Sequence, residues 1–216
     1  RLIHLVSDVS NDAIRVQNFD IEYVKATKKT GSGSGNECIQ SSRGENCRIR
    51  YCWVTECTED AFEHVSVISG NTIEYVVADN CEGQIADFFL QYDESSWGLV
   101  DDTSTLIDSG CYCHHIYGDC NNYGLIISGI KGFTFHDIQV DNSPATSGNA
   151  DTVRIEDRTV ASVQYEVRDV KGSGPLSLPA ARGGSVVNIS TAGSQGVEVK
   201  YFDNKSGVGA LTTATG

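Results

Sequence analysis

Three carboxyl-bearing residues recur at similar spacing in the first third of this chain. Asp12 stands in Asn11-Asp12-Ala13-Ile14, Glu37 in Asn36-Glu37-Cys38-Ile39 and Asp60 in Glu59-Asp60-Ala61-Phe62. If each repeat brings the chain back to the same place, the three side chains form one column, with Cα atoms ~4.8 Å and ~9.6 Å apart. Paired carboxyl groups at such separations can hydrolyse a glycosidic bond, with about 5–5.5 Å suiting retention and about 6.5–9.5 Å inversion. Crowding like charges also raises at least one pKa, as a general acid requires. Two other roles fit the same residues. Ca2+ takes oxygen ligands and would relieve the repulsion. Alternatively, each carboxylate accepts backbone N–H bonds at a corner, as Asx-type turns do, and the weaker copies at Asp87 and Asp151 match that structural role.

A second cluster reads Cys111-Tyr112-Cys113-His114-His115, with Cys120 close behind. Thiolates and imidazoles together could hold zinc, although the spacing is that of no standard zinc module, and disulfides use the same cysteines. One residue between Cys111 and Cys113 excludes a haem-attachment motif, which needs two. His64 and His136 lie within or beside strand patterns, where a lone histidine is usually a surface or satisfied side chain. Trp97, in Asp93-Glu94-Ser95-Ser96-Trp97-Gly98, is a candidate for stacking on a sugar face or for anchoring its own loop. Arg48, Arg50 and Lys131 belong to no lyase motif. Asn188-Ile189-Ser190 and Asn204-Lys205-Ser206 are glycosylation sequons.

The elements that must position these groups are repeats. Ile21-Glu22-Tyr23-Val24 returns verbatim as Ile73-Glu74-Tyr75-Val76, with Ile49-Arg50-Tyr51-Cys52 between. Looser copies occur at Phe133-Thr134-Phe135, Val163-Gln164-Tyr165 and Val197-Glu198-Val199. The acidic motif runs in step with them. Two interleaved repeats of two to three dozen residues mark a solenoid. Period-2 apolar runs, 22 Gly and only 3 Pro make the repeating unit two or three short strands joined by turns. The expected fold is all-β: a right-handed parallel β-helix of about seven coils over residues 1–207, with residues 208–216 as a C-terminal tail. Coils are expected near 12–36, 37–59, 60–86, 87–118, 119–150, 151–178 and 179–207. Insertions are expected around Asp93 to Thr103 and Asn142 to Asn149. Ile21, Ile49 and Ile73 should stack inward, and Tyr23, Tyr51 and Tyr75 should form a second inward ladder.

Composition narrows the partners. The net charge is −13, from 16 basic and 29 acidic residues. Such a balance argues against nucleic acid and against bare polyanions. No apolar stretch reaches membrane-spanning length, so no membrane insertion is expected. Eight cysteines point to an oxidising, extracellular setting, secreted or cell-surface. Cys57 and Cys81 both follow an apolar strand and a short polar stretch in adjacent repeats, and at ~4.8 Å they are close enough to be bridged. The chain begins at Arg1 and contains no Met, which fits a mature or excised piece of a secreted precursor and equally a fragment of a larger protein.

With these repeats on view, the chain resembles the right-handed parallel β-helix proteins of the pectin-lyase-like superfamily. There is a faint similarity to the polygalacturonase family, whose Asn-Thr-Asp, Gly-Asp-Asp-Cys and Gly-His-Gly motifs would fall on Ser10-Asn11-Asp12, Gly35-Asn36-Glu37-Cys38 and Thr58-Glu59-Asp60. Asn36 stands where that family has an Asp, Glu37 replaces its second Asp, and Asp60 replaces its His. The resemblance implies Asp12 as base and Glu37 as acid, and an extracellular protein that acts on or binds polysaccharide. The alternative is a non-catalytic structural or adhesive module, such as a stalk, spike segment or filament subunit, that self-associates end to end through open terminal rungs.

Overall fold

The computed structural model describes residues 3–6, 16–27, 37–42, 44–65, 69–89, 108–128, 131–142, 151–156, 163–174, 176–177, 185–190, 199–202 and 211–214. Among them every regular element is a strand, and almost every pairing is parallel. One sheet contains Ile3–Val6, Ile39–Ser42, Phe62–Val65, Ala86–Phe89, Leu125–Ser128, Val153–Glu156 and Leu176–Ser177, in that spatial order. A longer sheet contains Asp20–Glu22, Arg48–Arg50, Thr72–Cys81, Asp108–Cys120, Lys131–Asn142, Val163–Gly172 and Ser185–Ser190. Lys25–Thr27 and Trp53–Thr55 continue the two shortest of these, and Val16–Gln17 pairs with Gly44–Glu45 in a small third sheet. Spatial order equals chain order, and the chain alternates between the two large sheets. The last two strands, Val199–Phe202 and Leu211–Ala214, are antiparallel. The looser copy at Val197-Glu198-Val199 therefore ends in an antiparallel strand, and the segment expected as a tail contributes another.

The pairing is in register. Ile21 lies opposite Ile49, Ile49 opposite Ile73, Ile73 opposite Cys113, and Cys113 opposite Phe135. All five are buried. Phe62, Phe133, Leu125, Ile116, Ile127 and Ile138 are likewise enclosed. Each such side chain contributes roughly 1.5–3 kcal/mol through removal of apolar surface from water.

Backbone conformation repeats as strictly as side-chain identity. Tyr23, Tyr51, Tyr75, His115, Asp137 and Asp169 all have φ between 53° and 56°, and each occupies the same place in its repeat. Asn18, Asn46 and Gly70 form a second left-handed column, and Glu56 and Asn80 part of a third. A left-handed residue bends the strand and interrupts its in-out alternation. That is why the tyrosine ladder is misplaced by the sequence pattern. Ile21 points in and Glu22 out, but Tyr23 stays outside and it is Val24 that packs against the core. The rings do stack, with centroids 5.3 and 5.1 Å apart, yet Tyr23 is 76% exposed, Tyr51 42% and Tyr75 40%.

Gly118 occupies an inward column of small residues, opposite Ala78 on one side and Val140 on the other. Its φ is 149°, and a Cβ there would lie 1.8 Å from the Ala78 carbonyl oxygen. Gly110, by contrast, has φ 50° but open space around it. Replacing each with Ala should separate clash from backbone strain. Chemical denaturation should show Gly110→Ala losing about 1 kcal/mol and Gly118→Ala losing about 3 kcal/mol or more.

Candidate functional site

Between the left-handed column at Asn18, Asn46 and Gly70 and the one at Tyr23, Tyr51 and Tyr75, each repeat contributes a three-residue strand whose first and third side chains face out. One outward row is Asp20, Arg48, Thr72, Tyr112, Thr134 and Glu166; the other is Glu22, Arg50, Glu74, His114, His136 and Arg168. The rows form a continuous polar strip. Arg48 donates to both oxygens of Asp20, from Nε at 2.7 Å and from Nη2 at 2.8 Å. These hydrogen bonds, helped by the charges of Arg48 and Arg50, hold the Asp20 carboxyl below the usual carboxylate range. Arg50 bonds Glu22, reaches Asp20 at 3.2 Å and lies 3.7 Å from Glu74. Beside this end of the strip is a cavity of about 310 Å³ lined by Asn18, Asp20, Asn46, Arg48 and Gly70. Gly70 has φ 64°, the left-handed conformation shared by Asn18 and Asn46, and a Cβ there would meet the Asn46 side-chain oxygen.

Further along the strip three imidazoles meet. His114 Nε2 is 2.8 Å from a Glu74 oxygen, and His114 Nδ1 is 2.8 Å from His115 Nδ1. The rings of His114 and His136 stack at 4.9 Å with 3° between their planes, and His136 Nδ1 lies 2.6 Å from Asp137 Oδ2. Burial, reinforced by the charges of His136 and His115 and opposed by Glu74, lowers the pKa of His114. Hydrogen bonding to His136 lowers that of Asp137. The sequence pattern groups His114 and His115 with their neighbouring cysteines and leaves His136 alone. The structure divides them differently: Cys111 and Cys113 point into the core while the imidazoles face out. Aligning Cys113-His114-His115-Ile116 over Phe135-His136-Asp137-Ile138 is the signal that would have found the cluster.

Of the expected acidic column, Glu37 and Asp60 do occupy equivalent places, since Ile39 pairs with Phe62. The column continues through Gln84 and Tyr123 to Asp151. Asp87 belongs to another column, in register with Glu63 and Ile126. Asp12 and Trp97 lie outside the described residues, and the strand preceding Ile39–Ser42 in its sheet is Ile3–Val6. Glu37 is buried, and Asp60 Oδ1 accepts the backbone N–H of Gln84 at 3.0 Å, a corner amide one repeat on. Burial pushes the Asp60 pKa up to about 7, with the charge of Glu37 adding to it and the Gln84 amide opposing it.

Cys57 and Cys81 are neighbours one repeat apart, as expected, but no bridge joins them. None of the eight cysteines is in a disulfide, and all are buried. The thiols of Cys57 and Cys81 are hydrogen-bonded, Cys38 Sγ lies 2.8 Å from Cys57 Sγ, and Cys81 is in register with Cys120 and not with Cys111. Burial pushes the Cys120 thiol up to about 12 and Cys113 well above its ordinary value. Such thiols are inert. A thiol reagent should find almost no reactive cysteine in the folded protein and eight after denaturation.

His64, fully buried within the strand Phe62–Val65, has Nδ1 2.5 Å from Ser41 Oγ and Nε2 3.2 Å from the Thr72 carbonyl oxygen. Burial pulls its pKa down to about 4. The unfolded chain thus takes up a proton at His64 between pH 6.5 and 4 that the folded state refuses, so this group's stability contribution falls as pH drops through that window. Asp60 has the opposite sign: its folded pKa is raised, so its contribution falls as pH rises from about 4 to 7. The two slopes oppose each other in the parent. Asp60→Asn retains an oxygen for the Gln84 amide and removes only the Asp60 slope. Its unfolding free energy should therefore rise more steeply than the parent's between pH 4 and 6.5, by about 3 kcal/mol, as read by denaturant melts at several pH values.

Comparison of the chain with protein-family models, with curated proteins and with solved structures found no match.

Proposed function

We propose that this chain is a right-handed parallel β-helix of about seven coils whose outer strip binds a neutral polysaccharide lying along the helix axis. The observation that carries this reading is the line of planar hydrogen-bonding side chains, one repeat apart, that begins at the polar cavity and runs from Asp20 and Arg48 to His136 and Arg168. In-register strands space such groups ~4.8 Å apart, so a linear polymer meets donors and acceptors at regular intervals. The arginines are already paired with Asp20, Glu22, Glu166 and Asp169. A strip neutralised in this way, on a chain of net charge −13, suits hydroxyl-rich ligands better than polyanions. Binding, not hydrolysis, is the better-supported half of the expectation. Burial raises the Asp60 pKa to about 7, as a general acid requires, but its carboxyl accepts the Gln84 N–H and it precedes a strand of the other sheet.

The end-to-end assembly reading draws on a different observation. Among the described residues Tyr23 is the last ring of the aromatic stack, with most of its surface open, and the strand before it, Asp20–Glu22, is the last of the longer sheet. A second copy could extend both the stack and the sheet.

Native gels cast with neutral glycans discriminate between the two. The parent should be retarded by at least one of them, and Arg48→Ala, which opens the cavity wall, should bind about tenfold more weakly. Unretarded migration across the panel, together with concentration-dependent growth in sedimentation, would replace polysaccharide binding with assembly.

A further inference from the structure

We propose that His115, His136 and Asp137, completed by His114, form a binding site for a borderline-soft divalent metal ion, with zinc as the reference. The inference is independent of the polysaccharide reading. One ligand atom from each of His115, His136 and Asp137 lies within 4.8 Å of the others. Metal bonds of about 2.0–2.2 Å set neighbouring ligand atoms ~3–4 Å apart, so closure onto an ion needs only small side-chain rotations.

His114 supplies the strongest argument. Glu74 is an acceptor and lies 2.8 Å from His114 Nε2, so that nitrogen carries the proton and donates it to the carboxylate. In the neutral ring the Nδ1 lone pair is then left facing His115 Nδ1 at 2.8 Å. Two ring nitrogens this close need a proton or a cation between them. A carboxylate holding the far side of a metal-ligating imidazole is the arrangement that fixes tautomer and orientation in metal sites.

The ligands are also held in place before any ion arrives. His115 and Asp137 share the left-handed column, between the register pairs His114–His136 and Ile116–Ile138. The His115 ring lies 4.4 Å from Tyr75, and His136 is stacked on His114. His114, His115 and His136 retain 16–32% side-chain exposure, leaving a path from solvent. Imidazole nitrogen with a single carboxylate favours zinc, copper or nickel over calcium, which takes oxygen ligands. The cysteine thiols expected from sequence to share such a site are on the other side of the sheet.

The test is titration of the full chain with Zn2+ and, separately, with Ca2+, followed by calorimetry and thermal melting, and with Co2+ followed by absorption spectroscopy. One equivalent of zinc should bind and raise the melting temperature while calcium does neither, and the cobalt spectrum should lack a thiolate charge-transfer band. His136→Ala and His115→Asn should each weaken zinc binding at least tenfold. Asn tolerates the left-handed backbone at position 115, and Asp137→Asn serves as a further surface variant if His136→Ala fails to fold. Absence of saturable zinc binding, a thiolate band with cobalt, or unchanged affinity in the folded variants would overturn the proposal.

Discussion

In-register parallel pairing is the constraint on which everything else in this molecule depends. Each backbone hydrogen bond to the next repeat requires both strands to share dihedral angles at matching positions, and a corner must therefore be a corner in every repeat. Six consecutive members of one column hold φ within a few degrees of 54°, although their side chains are three tyrosines, a histidine and two aspartates. Asn and Asp tolerate that conformation readily, but a bulky tyrosine does not. The ring stacking of Tyr23, Tyr51 and Tyr75 offsets some of the strain, and the corner is imposed by the pairing on either side of it.

The same constraint places every side chain ~4.8 Å from its counterpart. Inside, this is favourable for any apolar series, and isoleucine, cysteine, phenylalanine and valine follow one another in one column with no loss of contact. Outside, it would be unfavourable for a column of like charge. The strip avoids that by alternating Glu22, Arg50 and Glu74, and Asp20 with Arg48. Where alternation fails, protons adjust. Burial raises the pKa of Asp60, with the charge of Glu37 adding to it, and burial lowers that of His114, with the charges of His136 and His115 adding to it.

Burial, not cross-linking, accounts for the cysteines. They fill inward positions as small apolar groups and stack on cysteine, alanine and aromatic neighbours, which is a packing role this residue serves well. Unbridged thiols in the core are compatible with a chain that gains its cohesion from stacked ladders and a nearly continuous array of interstrand hydrogen bonds.

The sequence alone determined the all-β parallel architecture, the isoleucine ladder and the pairing of Glu37 with Asp60, because each depends only on period, and period survives in one dimension. It also placed Cys57 beside Cys81. Other features depended on information that no local pattern holds. The tyrosines moved from the core to the surface because a left-handed residue breaks the two-residue alternation without changing the repeat length. Asp60 met Gln84 because its carboxylate found a corner amide one repeat away. The imidazole cluster formed because strand register laid His136 and Asp137 beside His114 and His115, while Cys111 and Cys113, just ahead of them in sequence, turned inward. Tertiary structure decided those facings, since side-chain direction follows from backbone dihedrals and from the neighbour a repeat away, and residue identity alone specifies neither.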